Sequence, residues 1–148
     1  MSAKQAGFEE RVRESFARQR VMRTLNVSIL GIGSGRVSFA MPFAADFTQQ
    51  HGFLHAGTVA TVLDSACGYA AFTLMPPDAA VLTIEFKANF LAPAKGSRFR
   101  FEGSVVKAGR VISVCDAHAF ADQDGKEKMI ASMTATIMTV TGRTGVEQ

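Results

Sequence analysis

Tryptophan is absent from the chain and tyrosine occurs once, against twelve phenylalanines, so the aromatic mass is packing material. Cysteine is nearly as scarce. Cys67 falls in an apolar helix-like stretch and Cys115 in a strand-like run, so both read as small core hydrophobes and no disulfide is expected. No Cys-x-x-Cys and no Cys/His cluster offers a metal site. A strong charge of one sign is also missing. Sixteen Lys and Arg against thirteen Asp and Glu leave +3, with no block of like charges, which argues against a nucleic-acid partner. A small anionic ligand suits this balance, and so does an ordinary solvated surface. No apolar run approaches the ~20 residues that span a bilayer, and the first residues are charged rather than signal-like. A cytoplasmic protein with no membrane partner is expected. The 148 residues show neither repeat nor linker and read as one domain, 1–148.

What is present is periodicity. Phe8, Val12 and Phe16 stand at helical spacing among charged residues and predict an amphipathic helix over 4–23, so that 1–24 form an N-terminal helical segment. A core over 25–141 follows, then a polar, frayed tail over 142–148. Residues 25–32 and 36–41 read as short strands joined by a turn with Gly31, Gly33 and Gly35. Those glycines lead into a strand, whereas a phosphate-cradling loop opens a helix. Residues 55–75 read as one long helix, apolar nearly all round and stopped by Pro76-Pro77. Such a helix must be wrapped on most sides.

Four long strand-like runs supply the wrapping: 80–91, 98–107, 110–121 and 127–141. In the first, Leu82, Ile84, Phe86, Ala88 and Phe90 alternate with Val81, Thr83, Glu85, Lys87 and Asn89, which predicts the former set as the core face. Asp124-Gly125 marks a hairpin. The expected class is α+β: a curved antiparallel sheet of about six strands around one central helix, plus the N-terminal helix.

The central helix carries one carboxylate, Asp64. Its helical neighbours are Ala60, Thr61, Cys67 and Gly68, none of them a cation. Such an acid is either held by Thr61 or Ser65 in a structural role or kept for chemistry.

With His55-Ala56-Gly57 at the helix start and Asp64 nine residues after the histidine, the chain resembles the hot-dog fold. More narrowly, it resembles acyl-CoA thioesterases of the phenylacetate-degradation-protein type. Their motif is His-Gly-Gly, so Ala56 replaces the first glycine. Gln49 stands where the family commonly has Asn. Thr83 matches a Ser or Thr near the start of the following strand, and Pro93 a proline at its end. The likeness covers roughly residues 25–140. It implies hydrolysis of a medium- or long-chain fatty or an aryl acyl-CoA. CoA enters as part of the substrate, with no separate cofactor. It also implies subunits joined edge to edge, as a homodimer or a dimer of dimers, with Asp64 of one chain facing Gly57 and Gln49 of the other.

Under that resemblance each candidate has a chemical and a structural reading. The Gly57 N–H lacks an intrahelical acceptor and is the expected oxyanion donor; packing alone also accounts for the glycine. His55 either contacts the substrate carbonyl or shapes the helix start. Gln49 either polarises the carbonyl or holds water, or is a solvated loop residue. Asp64 either deprotonates water or attacks the thioester directly, with Thr83 positioning it. Thr83 alternates away from the apolar face, so it reaches the site only at a strand end or across a subunit boundary. Lys95, Arg98, Lys107, Gly109 and Arg110 are candidates for the CoA phosphates, or plain hairpin residues. An apolar pocket of Phe and Met is expected for the acyl group. A hot-dog hydratase or dehydratase, and a non-catalytic acyl-CoA-binding module, are the rival readings.

Overall fold

The small residues of the central helix let a sheet approach it closely on several sides. The computed structural model describes residues 7–148. It shows helices α1 (Phe8–Arg18) and α2 (Arg20–Thr24), strands β1 (Ser28–Gly33) and β2 (Arg36–Pro42), and the central helix α3 (Ala56–Phe72). Strands β3 (Ala80–Phe90), β4 (Arg98–Ala108), β5 (Ile112–Gln123) and β6 (Lys126–Val140) follow. All six strands pair antiparallel in the order β1-β2-β4-β5-β6-β3, which leaves β1 and β3 at the edges.

α3 lies against the sheet. Leu63, Ala66 and Ala70 of α3 pack in one buried cluster with Phe39, Phe99 and Phe101. The approach is closest at Gly103 of β4, where an added Cβ would lie 2.3 Å from the Ala66 carbonyl oxygen. Alanines at 117, 119 and 121 of β5 and at 131 and 135 of β6 are fully buried and keep the sheet near the helix.

The N-terminal helix is broken rather than continuous. Gln19 takes an extended conformation (φ −79°, ψ 95°) between α1 and α2, and its side chain turns to Ser65 of α3. The part of the expected helix over residues 1–6 lies outside the described residues. Phe8 and Val12 bury the predicted stripe, and the Phe16 ring sits 5.2 Å from that of Phe39. The strand expected from Leu25 starts only at Ser28. Asn26, in the left-handed region at φ 58°, turns the chain out of α2 first. The Asp124-Gly125 hairpin forms as expected, with both residues at positive φ (55° and 82°).

The predicted face of β3 is half right. A bulge between Thr83 and Glu85 leaves Ile84 as an extra residue against β6. One inserted residue switches which side chains face inward. Beyond the bulge, Phe86, Ala88 and Phe90 pair with the buried Ala135, Met133 and Ala131 and so share the core face, but only Ala88 packs against the core, and Phe86 and Phe90 stay 45% and 50% exposed at the sheet edge. Before it, Val81 and Thr83 face α3, while Leu82 and Ile84 are exposed by 41% and 51%. Thr83 therefore reaches α3 within its own chain.

The tail also differs from expectation. Gln148 is held at two points: its side-chain Oε1 accepts from the Val81 N–H (2.9 Å), and its backbone oxygen accepts from Arg18.

Candidate active site

The start of α3 is set by His55. Its extended backbone (φ −60°, ψ 140°) makes it the N-cap, and its Nδ1 accepts from the Gly57 N–H at 2.8 Å. Its carbonyl accepts from the N–H groups of Thr58 and Val59. The oxyanion donor expected at Gly57 is therefore already occupied. An N-cap side chain characteristically takes the N–H two or three residues on, which leaves the first helical N–H free. That group belongs to Ala56, which has no acceptor among the described residues. At Gly57 a Cβ would meet His55 Nδ1 at 3.0 Å, so the glycine makes room for the capping ring.

Gln49 closes the loop before the helix. Its Oε1 accepts from the N–H groups of His51 (2.6 Å) and Phe53 (3.3 Å), and its own N–H donates to the Phe53 carbonyl. Its Nε2 keeps a donor without an acceptor among the described residues. Gln49, His55 and Ala56 line a 670 Å³ cavity with Phe53, Phe90 and Leu91.

Asp64 lies two helical turns further along α3 and lines a different cavity, of 460 Å³. The hydroxyl of Thr83 donates to its Oδ1 at 2.7 Å. Thr61 instead bonds the Gly57 carbonyl and Ser65 bonds Gln19, so neither holds the acid. No cation pairs with Asp64 among the described residues. Burial therefore raises its pKa above the ordinary aspartate value, and the Thr83 bond offsets part of the rise. A desolvated carboxylate, oriented but not neutralised, is a base stronger than free aspartate. The thiols are no rivals: burial pushes Cys67 up strongly and Cys115 up to about 11, so both stay protonated at neutral pH.

The cationic candidates do not form one group. Lys95 follows Pro93 and Ala94, which line the Gln49 cavity, and Arg98 opens β4. Lys107, Gly109 and Arg110 lie at the other end of β4, about 30 Å away at the strand rise. Gly109 is a turn residue, where a Cβ would strike the Ile112 carbonyl oxygen at 2.2 Å.

The sequence profile of the thioesterase superfamily matches residues 51–128, which include α3 and β3 with both Asp64 and Thr83. The chain belongs to the thioesterase superfamily. A solved thioesterase family protein from Silicibacter pomeroyi is 59% identical, superposes with a TM-score of 0.91, and covers 92% of this chain and 100% of that one. A Saccharolobus solfataricus protein named as a candidate esterase is 33% identical over 72% of this chain and 74% of its own. The PaaI protein from the phenylacetic acid degradation operon of E. coli, at 17% identity, shares the fold with a TM-score of 0.84 over 95% of this chain and 98% of that one. This thioesterase thus has the hot-dog fold expected from its motif, and it is a thioester hydrolase. No helix among its described residues is long and apolar enough to cross a membrane.

Sequence reasoning missed two features of the site. One is the free N–H of Ala56, which the N-cap rule would have shown once His55 was placed at the cap. The other is the wall of the Asp64 cavity formed by Ser15, Arg18, Gln19 and Tyr69. No local pattern joins α1 to α3 across some fifty residues of chain.

Proposed function

We propose that this thioesterase hydrolyses an acyl-CoA at a site shared between two copies of the chain, with Asp64 as general base. One observation carries the reading: a desolvated carboxylate that a hydroxyl orients and no cation neutralises. Asp64 takes a proton from water, and the resulting hydroxide attacks the thioester carbonyl. A carbon–oxygen bond forms, the carbon–sulfur bond breaks, and the CoA thiolate leaves and is protonated. The oxyanion formed on the way needs donors, and the Ala56 N–H at the positive end of α3 and the Gln49 Nε2 supply them.

Within one chain these donors and Asp64 cannot meet. Ala56 and Asp64 are separated by eight residues of helix, about 12 Å, and they line different cavities. Pairing of two copies across the β3 edge supplies the missing half. That edge is unpaired and presents Ile84, Phe86 and Phe90 at 51%, 45% and 50% exposure. Such an apolar edge is a template for a second strand. An antiparallel pairing about a two-fold axis sets the start of one α3 against the middle of the other. Lys95, beside the Gln49 cavity, is then the cation placed for a CoA phosphate.

Free thiol release from a series of acyl-CoAs tests the reading. Release that depends on Asp64 is the expected result. An intact dimer that releases no thiol from any acyl-CoA would refute it.

A further inference from the structure

The cavity beside Asp64 is not the apolar pocket expected for a fatty chain. Of its lining residues only Gly68, Val81 and Leu82 lack a polar side chain. The rest include Ser15, Arg18, Gln19, Ser65 and Tyr69, together with Glu147 and Gln148 of the tail. Phenylalanines and leucines gather instead around Gln49, at the other cavity.

The cavity is bordered along α3 from Asp64 to Tyr69 and across from it by Val81 and Thr83 of β3. It runs away from the Gln49 end, hence away from Lys95. Gly68 lies on its floor opposite Val81, where a Cβ would come into ordinary contact with Val81 Cγ1 at 3.5 Å. α1 forms another wall. Its hydroxyl and amide groups are tied to α3 in pairs, Ser15 with Tyr69 (3.0 Å) and Gln19 with Ser65 (3.1 Å). These pairs fix the wall and are satisfied by each other. Arg18, between them in sequence, is different. Its guanidinium bonds the backbone oxygen of Gln148, an exposed contact that a ligand oxygen can replace if the tail also gives up its second hold, the Gln148 side chain on the Val81 N–H (2.9 Å). The oxygen shows where an acceptor sits against Arg18. The one other charged wall residue besides Asp64 is Glu147, which is carried on the same exposed tail and leaves with it.

We infer that this cavity receives the acyl group and that Arg18 selects an acyl chain ending in a carboxylate, the mono-thioester of a dicarboxylic acid. The inference rests on the thioesterase reading with Asp64 as base, and it names the substrate class of that site. The carboxylate takes the place of the Gln148 oxygen and gains a charge-assisted bond to the guanidinium. An uncharged chain of the same length leaves Arg18 to the tail and gains nothing from it.

The test compares adipyl-CoA with hexanoyl-CoA, which differ only in the terminal carboxylate, by thiol release from the wild-type protein and from Arg18→Gln. The expected wild-type result is a kcat/KM ratio of about two- to fivefold in favour of adipyl-CoA, the size of one ion pair at an exposed site. Added salt lowers that ratio. In Arg18→Gln the ratio falls towards one. A wild-type ratio at or below one overturns the inference while leaving the thioesterase reading standing, because hexanoyl-CoA is still hydrolysed. A high ratio unchanged by Arg18→Gln also overturns it. Hydrolysis of neither substrate overturns the inference, while the thioesterase reading falls only if the wider series of acyl-CoAs also releases no thiol.

Discussion

Replacing Asp64 with Asn separates catalysis from stability, and the two effects have opposite signs. The substitution is nearly isosteric and keeps an oxygen to accept the Thr83 hydroxyl, whose bond measures 2.7 Å. It removes a negative charge that burial disfavours and no cation compensates. Activity falls because the base is gone, by about 10²- to 10⁴-fold in kcat. Stability rises. An acid whose folded pKa lies above its unfolded value holds its proton more tightly in the native state. Native stability is therefore lost as pH rises from the unfolded value, near 3.8, through the raised folded one. The site is half-buried, so solvent screening limits the penalty to about 1 kcal/mol. For a chain of this size that amounts to about 2–4 °C in Tm. The assay is a thermal melt of both proteins from pH 3 to pH 8, with thiol release measured on the same samples. The variant melts higher at pH 7, and the gap closes at acid pH, where the wild-type carboxyl is protonated in both states. An Asp64→Asn protein that melts lower than wild type at pH 7 would show that the carboxylate has a stabilising partner, and the desolvated-base argument would be wrong.

Two other substitutions probe the frame of the site. Thr83→Val removes the bond that offsets part of the rise in the Asp64 pKa, so the acid limb of the kcat/KM profile moves to higher pH; an unmoved limb would show that Thr83 does not act on the base. Gly103→Ala drives a methyl to within 2.3 Å of the Ala66 carbonyl oxygen, two residues from Asp64, and costs about 1–3 kcal/mol, read as a lower midpoint in urea denaturation.

The fold was legible because its signals are local and repeated. The apolar run around Asp64 and the alternation in the four long strands each define an element without reference to any other. The motif His55-Ala56-Gly57 with Asp64 marked the start and the one carboxylate of the central helix. What failed depended on events too small for a periodic pattern. One bulged residue, Ile84, reversed the inward face at Thr83 and Val81. The capping bond from Gly57 to His55 moved the free helix donor to Ala56. A single extended residue, Gln19, split the first helix and brought its side chain to α3. The cationic candidates are dispersed for another reason. Lys95 and Arg98 adjoin one end of β4 and Lys107 and Arg110 the other, and proximity in sequence concealed the length of the strand between them.

The shared site makes a prediction that no single-chain site makes. Asp64→Asn disables one half, and Ala56→Pro, which deletes the free N–H at a helix position that accepts proline, disables the other. Each variant alone is nearly inactive. Unfolded together and refolded as a mixture, they form hybrid dimers in which one of the two sites holds both intact halves. Random pairing of equal amounts returns about a quarter of wild-type activity. If the mixture stays as inactive as its components while dimers form, Asp64 and Ala56 do not serve one site across the two chains.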